Sequence, residues 1–305
     1  MRVGTTHSDF APVWYGARAI LTGVNPYTTL GPGLAFDYDG NLFYPVPAMI
    51  AALPLGFLPE DAASVVFITL SAAAVAFAVT RRSWNLIWIF PSSAFIVAVR
   101  ACQWGPLMAA AMVVPSLGWL YSFKPNIGAA LAISTASRRS LIFAIVGTFI
   151  LSVAGLILIP SWPSDWLKEV HEGTQTELTA PILRPLGFLL VLALLRWRQP
   201  EARYLLAFAC IPQTASWYEL FTLLLVARTK REAQLLSLVS SAGYMAQIAL
   251  LEKGSYILIG TVGTLMNIFG FLPALAVVFY RRNAGEPPAW YELSRRGFSR
   301  LKAAV

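Results

Sequence analysis

The sequence predicts an all-α protein, a polytopic bundle of transmembrane helices with a first extracytoplasmic loop that carries an interfacial helix. Three observations predict it. The 305 residues are 57% hydrophobic and only 12% charged, against roughly 25% charged in soluble domains. The apolar residues fall in runs. A bilayer core roughly 30 Å thick needs about 20 such residues per helix, with every backbone group satisfied inside it. Basic residues come in pairs between those runs, as cytoplasmic loops require. The excess of 23 Lys and Arg over 15 Asp and Glu is therefore a topology signal. Scattered pairs of this kind make no nucleic-acid surface.

In chain order, residues 1–8 (MRVGTTHS) are polar and lack the apolar centre of a cleavable signal. Residues 8–43 form the outer loop, rich in Tyr, Gly and Pro, with acids at Asp9, Asp37 and Asp39. Within it, 11–22 is too short and too mixed to span, and Trp14 and Tyr15 suit an interfacial helix. A Gly/Pro loop covers Gly23 to Asn41. Apolar runs follow at about 44–58, 62–80, 84–99, 104–121, 125–137, 141–160, 182–195, 204–227, 233–251 and 255–280. Prolines at 91, 106, 115, 125, 212 and 273 break or kink them. Such breaks are tolerated at membrane depth where they line a cavity or pack on protein.

Arg81-Arg82, Arg138-Arg139, Arg196/Arg198, Arg228/Lys230/Arg231 and Arg281-Arg282 are predicted cytoplasmic. The acidic segment 161–181, with two Trp, is a second outer loop. The 204–227 run reads as a hairpin with its tip near Gln213–Glu219, facing outside. A conflict stands at 44–58. If that run crosses inward, 62–80 ends outside and strands Arg81-Arg82, so either 44–58 is re-entrant or the charge rule fails there. Residues 1–280 form one membrane domain, and 281–305 a basic tail resting on anionic lipid. No internal repeat of the transporter kind is visible.

Few residues can carry chemistry. Asp9 suits a general base beside an aromatic helix, and its position before that helix suits a helix cap still better. Asp37-Tyr38-Asp39 has the spacing of a metal-holding pair of carboxylates, while Asp39-Gly40 is also a turn dipeptide. Lys124, between two apolar runs, can meet a phosphate as a point charge or snorkel from a helix end. Arg100 and Arg184 are weaker candidates of the same kind. Trp217, Tyr218 and Glu219 can stack on and hydrogen-bond a sugar, or belong to an aromatic belt. His7 and His171 read as solvated loop residues. Cys102 and Cys210 offer no metal spacing and no disulfide framework.

Four ordered features bear a further resemblance. They are Asp9-Phe10 with Tyr15, Ala17 to Leu21, Gly23 and Pro26-Tyr27; then Phe43-Tyr44-Pro45 with Pro47, Pro54-Leu55 and Leu58-Pro59; then Gln103 to Leu107 with Gly118 and Lys124-Pro125; and last Pro212 with Ser216-Trp217. Over roughly residues 9–227 the chain resembles integral-membrane glycosyltransferases of the GT-C fold, and within them glycosyltransferase family 87, the polyprenyl-phosphate-mannose-dependent mannosyltransferases. It departs from that pattern in the Val46 inside the Y-P-P element, in Cys102 before Gln103, in Tyr218-Glu219 where the family has a late His, and in the eight residues that precede Asp9 where the family has a helix.

The resemblance implies an inverting transfer of a hexose, mannose foremost, from a polyprenyl-phosphate donor to a glycolipid or polysaccharide acceptor. The reaction would run at the extracytoplasmic face of a bacterial plasma membrane. Lipid, donor and acceptor are the partners, and no nucleotide, cofactor or obligatory metal is required. Asp9 matches the family's base. Lys124 and Arg100 are the donor-phosphate contacts. Tyr15, Tyr27, Tyr44, Gln103, Trp217, Tyr218 and Glu219 are the sugar or acceptor contacts. Asp37 and Asp39 are the weak metal candidates. The alternatives are a polytopic transporter or lipid flippase, which predicts charges in mid-helix and a repeated half, and a shortened inactive family member.

Overall fold

The computed structural model describes residues 8–38, 40, 42–176, 178–252, 259–288 and 290–291. Among the described residues every extended regular element is helical, and the only strand-like pairings are two isolated bridges, Leu30 with Phe36 and Thr179 with Gln213. The α-helices are α1 (Ala11–Leu21), α2 (Pro26–Thr29), α3 (Val46–Ala51), α4 (Glu60–Arg82), α5 (Ser93–Arg100), α6 (Gly105–Val113), α7 (Pro125–Ser134), α8 (Arg138–Leu158), α9 (Trp162–Thr176), α10 (Pro200–Cys210), α11 (Leu220–Leu223), α12 (Lys230–Glu252), α13 (Ile259–Met266) and α14 (Leu272–Tyr280). Single 3-10 segments fill several gaps, and a π-turn at Asn267–Phe271 joins α13 to α14.

Four helices are long and apolar enough to cross a membrane: Glu60–Arg82, Arg138–Leu158, Lys230–Leu251 and Gly260–Tyr280. The chain thus has the make-up of an integral membrane protein. α4 shows how the sequence sets such a span. Pro59 stops the preceding backbone, Glu60 and Asp61 sit in the first turn, and Arg81 and Arg82 in the last, each charge placed against the matching end of the helix dipole.

Other predicted runs are broken. α5 and α6 meet at 118°, where Cys102 takes φ 50° and Gly105-Pro106 starts the next helix. The 104–121 run divides again at Val114-Pro115 into α6 and a 3-10 segment, Pro115–Ser122. The 204–227 run is a hairpin as expected. α10 ends at Cys210 and helical backbone resumes at Trp217, with the arms joined by Tyr204 Oη donating to Thr222 Oγ1 at 2.6 Å.

The 44–58 run is too short to cross. α3 and the 3-10 turn Leu53–Phe57 would together reach about 19 Å even end to end, short of the roughly 30 Å core. α4 can therefore end on the same side as the other basic groups. Arg82 donates to the Leu225 carbonyl at 3.3 Å and pairs with Glu201 at 3.5 Å. Arg228 meets the same Glu201 at 2.5 Å, and Arg281 meets Glu232 at 2.6 Å and the Val226 carbonyl at 2.9 Å. The predicted cytoplasmic groups therefore gather at one end of the bundle. The proximal tail is anchored there too, by Arg203 Nη1 to the Glu286 carbonyl at 3.1 Å and Trp290 Nε1 to the Ile133 carbonyl at 2.8 Å.

Two expectations need correction. Segment 161–181 is chiefly the helix α9, not a loop. Trp162, Trp166 and Val170 recur every four residues and give it an apolar face. That face packs on Leu30, Leu42, Val46 and Met49 in a small second core. Asn25 Nδ2 and Trp166 Nε1 fix the contact, donating to Asp165 at 2.8 Å and to the Phe43 carbonyl at 2.9 Å. The predicted interfacial helix forms as α1, but its Trp14 is 7% exposed. The indole donates to the Leu55 and Leu58 carbonyls at 3.2 and 3.1 Å, satisfying the broken backbone that follows α3 and not a lipid interface.

Candidate functional site

Four breaks in helical structure converge on one cavity of about 480 Å³. Each break brings one polar side chain. Asp9 lies in the turn before α1, its N–H donating to the Ala101 carbonyl at 2.8 Å. The N-cap of α1 is Phe10, with no side-chain cap, so the carboxyl is not spent on helix capping. Gln103 occupies the α5–α6 elbow and is 2% exposed. Lys124 is the N-cap residue of α7, where Pro125 prevents the preceding 3-10 segment from running on. Gly128 lets this turn close, since a Cβ there would stand 1.9 Å from the Tyr121 carbonyl oxygen. Glu219 closes the 3-10 turn Trp217–Glu219 that follows the non-helical stretch 211–216, and is 3% exposed.

These four side chains form a connected series. Gln103 Nε2 donates to Asp9 Oδ2. Lys124 Nζ donates to Gln103 Oε1 at 3.3 Å and to Glu219 Oε1 at 2.8 Å. The ammonium also lies 5.4 Å from the centre of the Tyr218 ring. The ammonium therefore pairs directly with Glu219 and reaches Asp9 through the Gln103 amide, in a site largely withdrawn from water. Burial pushes the Asp9 carboxyl above the ordinary carboxylate range; the Lys124 charge and the Gln103 hydrogen bond oppose that rise without cancelling it.

The cavity is divided by polarity. Asp9, Gln103, Lys124 and Glu219 make its polar floor, and Phe43, Trp166, Val170, Ile211 and Pro212 its apolar walls. α9 supplies Trp166 and Val170, so this helix covers the site.

The predicted site residues divide accordingly. Asp9, Tyr44, Gln103, Lys124, Tyr218 and Glu219 all line the cavity. The other four do not. Tyr15 donates to Glu60 at 3.0 Å. Tyr27 donates to the Tyr44 carbonyl at 2.8 Å and so buttresses a lining residue. Arg100 is exposed at the end of α5. Trp217 turns its indole to Gln247 of α12. Arg184 is 7% exposed and donates to the Thr179 and Gln213 carbonyls at 2.8 and 2.7 Å, bracing the wall from behind.

Among the weak metal candidates, Asp37 is exposed and accepts from the Gly33 N–H at 3.1 Å, which is a turn contact; Asp39 lies outside the described residues, as does His7. Among the described residues no three His, Cys, Asp or Glu side chains converge as metal ligands would. Sequence reasoning missed Thr214, whose hydroxyl lies 3.5 Å from Glu219 Oε1, and Trp166. The four-residue repeat of α9 was the available signal for Trp166; for Thr214 it was its place in the predicted hairpin tip Gln213–Glu219. Comparison with family models, characterised proteins and solved structures finds no match for this chain.

Proposed function

We propose that the chain is an inverting glycosyltransferase of the GT-C kind that takes a hexose, mannose foremost, from a polyprenyl-phosphate donor. The observation that carries this reading is the part-buried Asp9 carboxyl on the polar floor of a cavity with apolar walls. A lipid-linked sugar has the same division, a polar head on an apolar chain, and a raised carboxyl lies nearer the working pH of a general base.

In this mechanism Asp9 takes the proton of an acceptor hydroxyl on a glycolipid or polysaccharide. The hydroxyl oxygen forms its bond to the anomeric carbon as the bond from that carbon to the phosphate oxygen breaks. The pair of electrons leaves on the lipid phosphate, and the anomeric centre inverts. Lys124 has three N–H donors, of which Glu219 and Gln103 take two, so the third serves the phosphate. Its charge opposes the charge developing on the leaving group, and a site withdrawn from water strengthens that effect. Tyr44, Tyr218 and Glu219 bind the sugar or acceptor. The site faces the extracytoplasmic side, at the end of the bundle away from the basic cluster.

The test is transfer from a radiolabelled polyprenyl-phosphate mannose by membranes containing the chain, with and without chelator. Chelator-resistant transfer supports the reading; loss with chelator restores a metal at Asp37 and Asp39. A second reading has one observation in its favour. Two carboxylates and one ammonium linked in a single hydrogen-bonded series at a cavity also suit a proton-coupled transporter. Counterflow of solute in proteoliposomes, without transfer, would select it.

A further inference from the structure

The buried amide of Gln103 has its orientation dictated from one side. With 2% of its surface exposed, both of its ends must find partners within the protein. An ammonium can only donate, so Lys124 at 3.3 Å must face the carbonyl oxygen. The NH2 end then has to face Asp9, and it donates to Oδ2. Glu219 holds the ammonium in place at 2.8 Å. A proton on Asp9 Oδ2 would set two donors against each other, so that oxygen is kept as an acceptor.

We propose that Gln103 is a positioning residue: locked by Lys124, its amide engages Asp9 Oδ2 and reserves the other carboxylate oxygen, Oδ1, for the proton taken from the acceptor. This rests on the glycosyltransferase reading only in naming where that proton comes from. It replaces the expectation that Gln103 contacts sugar. Besides Lys124, the titratable groups facing Asp9 are Glu219, Tyr218, whose hydroxyl also hydrogen-bonds the Asp9 carboxyl, Tyr44 and Cys102. None of them turns the Gln103 amide, because none donates to its oxygen.

The test titrates the Asp9 carboxyl by infrared difference spectroscopy on the purified full chain, with Asp9→Asn as the blank. Two variants are used. Gln103→Leu removes both contacts, and Gln103→Met removes them while keeping the length of the side chain. A hydrogen bond to an ionised group favours the ionised form, so its loss should raise the Asp9 midpoint by about one to two pH units in either variant. Transfer should then lose kcat with KM nearly unchanged, and the acid limb of its pH profile should move upward by the same amount. A midpoint that stays in place while KM rises would make Gln103 a sugar contact and overturn the proposal. If the unaltered chain transfers no sugar, the glycosyltransferase reading falls, and the infrared midpoint still decides for or against Gln103.

Discussion

The proposed mechanism centres on Asp9, and its surroundings set what single substitutions should do. Asp9→Asn keeps the shape of the side chain and removes the base, so transfer should fall about 10²- to 10⁴-fold with expression and thermal unfolding unchanged; retained turnover would remove Asp9 from the mechanism. The pH dependence follows from the direction of its shift. In the proposed mechanism Asp9 acts when ionised, and burial raises its carboxyl above the usual value. Transfer should therefore rise with pH along a limb whose midpoint lies above the ordinary Asp value of about 3.9, and that limb should vanish in any residual activity of Asp9→Asn. Lys124→Met should be costly for a different reason. It leaves Glu219, 3% exposed, as a buried charge without its cation, a loss of about 3–5 kcal/mol. Adding Glu219→Gln removes that charge and should restore much of the unfolding temperature without restoring transfer. The sequence alone left Asp9 between base and cap, because its partner Gln103 is 94 positions away, and no local pattern reports such a contact.

At the scale of elements, the site is made of interruptions. The α5–α6 elbow, the Lys124-Pro125 turn and the stretch 211–216 each free side chains that a continuous helix would have turned to lipid or to its neighbours. The prolines at 106, 115, 125 and 212 made these breaks legible from sequence, since each removes a helix N–H. What the prolines could not give was direction. The 118° turn at Cys102 depends on packing against the N-terminal turn, and α9 was hidden by its acidity although its apolar residues repeat every fourth position. The Lys124 turn offers a direct check. Gly128→Ala places a methyl against the Tyr121 backbone carbonyl, which an exposed loop could accommodate and this packed turn cannot. It should lower stability by about 1–3 kcal/mol, read as a drop in Tm, and depress transfer by displacing Lys124. An unchanged Tm would mean that the turn has slack the packing does not show.

The whole molecule is organised by charge. Arg82, Arg228 and Arg281 meet at one end of the bundle around Glu201 and Glu232, and the cavity lies toward the other. α4 connects the two: Ser64 near its start bonds Ser8 beside Asp9 at 2.9 Å, and Arg82 closes it in the basic cluster. The basic pairs gave this polarity from sequence, while the short α3 and its 3-10 continuation explain why counting apolar runs as spans did not. Sidedness is open to cysteine labelling in a background without Cys102 and Cys210. Arg81→Cys and Arg231→Cys should react with an impermeant reagent only after the membrane is opened, and Lys168→Cys in α9 should react in intact cells; labelling of Arg81→Cys and Arg231→Cys from opposite sides would refute the arrangement. Above these stands the reaction itself. The purified chain, given a radiolabelled polyprenyl-phosphate mannose and membrane glycolipid, should move label to the glycolipid, and the Asp9→Asn chain, equally folded, should not. Equal transfer by both, or none by the unaltered chain over a range of lipid-linked sugars, would contradict a base at Asp9 acting on a lipid-borne glycosyl phosphate.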